Sequence, residues 1–151
     1  MTKFLLAVHV LAAIVAVGPV TVAASMFPPA ARRALAHPQD ARATAVLETL
    51  YRICRVYAGV GIAVPVFGFA TASGLGVLGD AWLITSVVLT ASAAAVLALL
   101  VLPRQHTLLS ATGPDAPALT RRLGMYTGLF NLLWATVTVL MIVRPGSTTG
   151  A

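Results

Sequence analysis

The chain has 151 residues, of which 59% are hydrophobic and 9% charged, with a net charge of +6. A soluble globular domain carries roughly 25% charged residues; four acids and ten bases with a single cysteine exclude a water-soluble shell, a disordered chain and a disulfide scaffold. The mean hydropathy of +0.94 points to an integral membrane protein.

Four apolar runs are each long enough to cross a hydrocarbon core of about 30 Å as a helix. They are residues 4–24, 53–72, 82–102 and 123–143. Backbone groups in lipid must be satisfied internally, and unbroken apolar runs do this as helices, whereas barrel strands alternate. The expected fold is therefore all-α, a polytopic up-down bundle of four transmembrane helices in one domain, residues 1–146, followed by a disordered tail at 147–151.

The first run, FLLAVHVLAAIVAVGPVTVAA, contains His9, Gly18 and Pro19. It also has the outline of a secretory signal peptide, with Lys3 before an apolar stretch and small residues at Val22-Ala23-Ala24. One lysine is a thin basic region, and the run is expected to stay as a helix. The first connection, Ser25 to Arg52, holds Pro28-Pro29, Arg32-Arg33 and then HPQD at 37–40. Beyond it, Val46, Leu47, Leu50, Tyr51, Cys54 and Tyr57 recur at helical spacing. The second helix should thus begin near Ala41, with Asp40 as its N-cap.

Ser73 to Ala81 is short and Gly-rich, a tight hairpin. The third connection, Pro103 to Thr120, contains the loop signal GPDAP, and Asp115 or Thr120 is placed to cap the last helix. Pro19 and Pro65 should kink the helices that contain them.

With four spans, the first and third connections share one side of the membrane. That side carries Arg32, Arg33, Arg42, Arg52, Arg55, Arg104, Arg121 and Arg122; the other has only Lys3 and Arg144. Eight bases against two predict cytoplasmic connections and both termini outside. The bases then face anionic lipid headgroups, so the bilayer is the expected partner and nucleic acid is not.

Membrane helices meet through small residues. The fourth helix offers Gly124 and Gly128, continued at the same spacing by Asn131, Ala135 and Thr138; the second offers Gly59 and Ala63, then Gly68 and Ala72; the first offers Ala12 and Ala16. These faces serve either a monomeric bundle or a homo-oligomer or membrane partner.

His9 is the foremost candidate for chemistry, because an ionisable side chain inside a span is rare and usually faces the interior. It lies about 9 Å below the outer surface at the helical rise, level with Ser86, Thr138 and Phe67. A hydrogen bond to one of those hydroxyls, or ligation of haem or a transition metal with Met141 opposite, are the two roles open to it. His37, His106 and Cys54 gather at the other side without a short metal-ligand spacing. His9 and His106 are too far apart along their helices to share a metal. Asn131 reads as interhelical glue, Trp82 as an interfacial anchor, Trp134 as packing and Asp80 as solvated. No span contains a carboxylate, and there is no phosphate loop, nucleophile elbow or H-E-x-x-H, so no catalytic residue is assigned.

The opening LLAVHVLAAIVAVGPVTVAASMFP and the ending VLMIVRPG resemble a family of bacterial integral membrane proteins, the domain of unknown function twenty-two sixty-nine. The positions that carry the resemblance are His9, Gly18, Met141, Arg144 and Pro145. It implies a four-helix membrane protein and no established activity. More distantly, the layout is similar to the copper-resistance membrane domain and to the haem-binding bacterial protoporphyrinogen oxidase. The chain departs from the latter: its first helix has no Trp after His9 and ends in Ser25-Met26-Phe27-Pro28-Pro29, without a basic and histidine cluster. The expected function is a structural or accessory membrane component, with a haem- or metal-binding protein and an oligomeric transporter subunit as alternatives.

Overall fold

The computed structural model describes residues 1–147. The expectation of a disordered tail at 147–151 falls, apart from Ser147, outside the described residues. Six α-helices and one π-helical stretch build four long rods: α1, Thr2–Ala36; α2, Ala41–Val60, with α3, Ala63–Leu75; α4, Ala81–Ala95, with the π stretch Val96–Val101 and α5, Leu102–Leu109; and α6, Ala116–Val143. All four rods are long and apolar enough to cross a membrane, the architecture of a multi-pass membrane protein. Large apolar side chains point outward all along them, with Ile14, Leu99, Leu132 and Ile142 each more than 60% exposed. Such a surface is stable only where the surrounding solvent is itself apolar.

The rods extend further than the apolar runs. α1 continues through Pro28 and Pro29 to Ala36, so the first connection is only residues 37–40. The second rod starts at Ala41 as expected, because Asp40 accepts hydrogen bonds from the backbone N–H groups of Arg42 and Ala43, at 3.0 and 3.3 Å. These are donors that the helix itself leaves unpaired. Asp40→Ala is expected to cost about 1 kcal/mol, read as a lowered unfolding midpoint of the purified protein in detergent micelles. At the last helix Asp115 holds the N-cap position without a side-chain bond, while Thr120 is buried and donates to the Ala116 carbonyl.

The prolines act unequally. α1 runs through Pro19 without interruption. The second rod breaks at Gly61–Ile62, one turn before Pro65. Pro65 has no N–H for the carbonyl four residues back, and the Gly61 carbonyl instead accepts from the Val64 N–H at 3.1 Å. In the third rod the π stretch precedes Pro103, which occupies the first turn of α5, where its missing N–H is tolerated. The rod therefore continues to Leu109 where the sequence suggests a loop.

The hairpin closes as expected from its glycines. Gly76 is left-handed at φ 71°, and the Val77 N–H reaches the Ala72 carbonyl at 3.2 Å, the bond of a Schellman cap. Val77 and Ala72 then cluster with Trp82 and Leu83.

α1 is the organising rod. It packs against α2 and α3 on one side and against α6 on the other; α6 also packs against α4 and the π stretch, and α5 meets α2. The main core combines small residues of α1 (Ala16, Ala23, Ala24, Ala31) with Phe27, Cys54, Val101 and Leu123, all at most 2% exposed. Small residues let the rods approach, and one large ring fills the space they leave.

Candidate functional site

His9 faces the bundle interior, 9% exposed. Its partner is neither Ser86 nor Thr138: the ring Nδ1 lies 2.9 Å from the main-chain carbonyl oxygen of Val64. A carbonyl only accepts, so Nδ1 is the donor and carries a hydrogen. The ring also sits close against Gly68. A Cβ built there would stand 2.8 Å from His9 Cε1 and 3.1 Å from Nδ1, well inside van der Waals contact. Gly68 is thus a cradle for the imidazole, one turn beyond the carbonyl that holds it. Against α3 the ring of His9 stands at Gly68, one residue from the Phe67 level expected.

The two hydroxyls expected beside His9 bond back within their own helices. Ser86, fully buried, donates to the Trp82 carbonyl at 2.8 Å. Thr138 donates to the Trp134 carbonyl at 3.0 Å and is exposed. Met141 is half-buried in the last turn of α6, where its carbonyl accepts from Arg144 Nε. Among the described residues no three His, Cys, Asp or Glu side chains come together to hold a metal. With Nδ1 donating to the Val64 carbonyl, Nε2 is the ring's remaining acceptor.

The small-residue face of α6 lies at the margin of the bundle. A Cβ built at Gly124 would stand 3.9 Å from Pro28 Cγ, whereas one at Gly128 would meet nothing within 4 Å. Ala135 and Thr138 continue the strip as exposed residues. Asn131 crosses to α1, its Nδ2 donating to Ser25 Oγ at 3.1 Å, while its Oδ1 has no partner. The face that α6 does bury is Thr120, Leu123, Thr127, Phe130 and Val137. On the second rod Gly59 is open, Ala63 is half-buried, and the close approach occurs at Val64, Gly68 and Ala72.

Two polar groupings have no counterpart in the sequence analysis. The first is Gln105, fully buried, whose Nε2 donates to the Sγ of the equally buried Cys54 at 3.5 Å. Its Oε1 has no partner. Cys54, expected at the entrance of the second span beside loop histidines, instead lies in the core, and His106 is outside, its ring 5.8 Å from that of Tyr51. Gln105 sits in PRQH, a string with the composition of a loop, and nothing local marks it as buried. Next to it, Arg104 donates to the Leu100 carbonyl and lies 4.4 Å over the Tyr126 ring.

The second grouping fastens the hairpin end. Trp82 Nε1 donates to Asp80 at 2.9 Å, and the Arg144 guanidinium lies 5.5 Å from the Trp82 ring centroid. Trp82 is 8% exposed, so it is a packed tie between hairpin and last helix, and Asp80 is engaged rather than solvated. Arg144 adopts a left-handed backbone at φ 45° to end α6. No family model, curated protein or solved structure matches the chain.

Proposed function

We propose that this chain is an accessory membrane component, without catalytic chemistry of its own, that associates with a second copy through the small-residue strip of α6. The observation that carries this reading is the outward opening of Gly128, with Ala135 and Thr138 exposed along the same strip. A backbone bared by glycine lets a second helix approach closely, and packing is what drives helix association in lipid. A strip that meets its own copy about a two-fold axis is self-complementary. His9 supports the same reading, since its bond to Val64 and its seat on Gly68 hold α1 to α3. The proposed setting is a bacterial inner membrane with both termini outside, supported by the eight-to-two partition of basic residues.

The test is energy transfer between donor- and acceptor-labelled copies reconstituted in vesicles. Transfer above the random-proximity level, abolished by Gly128→Leu in a protein that keeps its helical circular dichroism, is the expected result. Transfer at the random level for the unmodified chain, across a tenfold range of dilution in lipid, would overturn the proposal.

A further inference from the structure

At the end of the bundle that carries the short connection 37–40, α1 and the start of α2 separate to leave an open cleft of about 610 Å³. Its walls are sorted by depth. On α1, Met26 comes first and Arg33 lies two turns nearer the connection; on α2, which runs back, Arg42 is at the start and Val46 one turn further in. Both apolar side chains therefore lie on the membrane side of the cleft, and both guanidinium groups on the connection side. Met26 is 51% and Val46 43% exposed, so the floor is open apolar surface. A second, shallower cleft shares Arg42 and Val46 and extends the floor to Thr49 and Leu50.

The cleft keeps a positive excess, two guanidinium groups against the one carboxylate of Asp40. Neither Arg33 nor Arg42 has a side-chain hydrogen bond or ion pair among the described residues. The carboxylate that lines the cleft, Asp40, directs Oδ1 to the backbone N–H groups of Arg42 and Ala43. Two positive groups above an apolar floor match one amphiphile: a phosphate or other anion at headgroup level with an acyl chain below it. From Met26 to Arg33 is about 10 Å at the helical rise, comparable to the 5–7 Å headgroup layer plus the first carbons of the chain. Basic clefts between helices at a membrane surface bind anionic headgroups.

We propose that this cleft is a binding site for one anionic glycerophospholipid, with Arg33 and Arg42 on the headgroup phosphate and an acyl chain along Met26 and Val46. The site is separate from the α6 strip and does not depend on self-association.

The test is native mass spectrometry of the full chain in detergent, titrated separately with phosphatidylglycerol, phosphatidylcholine and inorganic phosphate. The expected result is a saturable phosphatidylglycerol adduct that R33Q/R42Q weakens about thirtyfold, from roughly fivefold per arginine at an anionic surface. R121Q/R122Q, which removes the same charge elsewhere, should leave it unchanged, and R33K/R42K, which keeps the charge, should retain most of it. Circular dichroism confirms that each variant is folded. Equal binding of phosphatidylcholine, equal loss in R121Q/R122Q, or undiminished binding in R33Q/R42Q would each overturn the site. Competition by inorganic phosphate as effective as by lipid would make it a free-anion site and overturn the lipid assignment.

Discussion

Replacing Gly68 with alanine is expected to destabilise the protein by about 2 kcal/mol, within the usual range for overpacking a filled core. In an exposed helix the same change would stabilise by up to about 1 kcal/mol, because alanine is the better helix former. The sign reverses here because the new Cβ would stand 2.8 Å from His9 Cε1. The ring has to move, and moving it stretches the 2.9 Å bond to the Val64 carbonyl. The check is a double-mutant cycle on unfolding midpoints in detergent. In a chain already carrying His9→Ala, Gly68→Ala should cost less than about 0.5 kcal/mol or become favourable. Additive losses would mean that the ring and the glycine do not share a contact. A haem or metal bound by His9 would show instead as a chromophore or stoichiometric metal lost with His9→Ala.

Gln105 carries the second large effect. Its side chain is fully enclosed, so Gln105→Ala should open a void and cost about 2–4 kcal/mol, as truncation of a large core residue does. Gln105→Met preserves the volume, and a volume-conserving exchange costs less than about 1.5 kcal/mol. Methionine also removes an amide whose Oε1 has no partner, and an unpaired buried acceptor is a cost of about 1–3 kcal/mol. The methionine variant is therefore expected to match or exceed the parent in unfolding midpoint. A methionine variant as unstable as the alanine one would show that the Oε1 is satisfied in the native membrane and that the amide, rather than its bulk, holds α5 against α2 through Cys54.

The sequence by itself determined the class, the four apolar helices, the Asp40 cap, the glycine hairpin and the level of His9 against the second rod. Each follows from a local quantity: hydropathy over a window, one capping side chain, a residue free to adopt positive φ, or a count of residues at 1.5 Å each. It did not determine how far the helices run. Pro28-Pro29 and PRQH have loop composition, but packing of Phe27, Ala31, Gln105 and Leu108 into the core extends α1 and α5 through them. Nor did it determine which face of α1 is inside, because that helix is apolar all round and has no preferred side in lipid. Only the tertiary structure paired His9 with a main-chain carbonyl, an acceptor that every residue possesses and no sequence pattern advertises. It likewise decided between the glycines. Gly68 is covered by an imidazole, whereas Gly128 and Gly59 meet nothing within 4 Å; the same residue type at similar helical spacing serves the interior in one place and the outer surface in the others. Small residues permit close approach, but which approach occurs depends on the large side chains that claim the core first, Phe27 from α1 and Leu123 and Phe130 from α6.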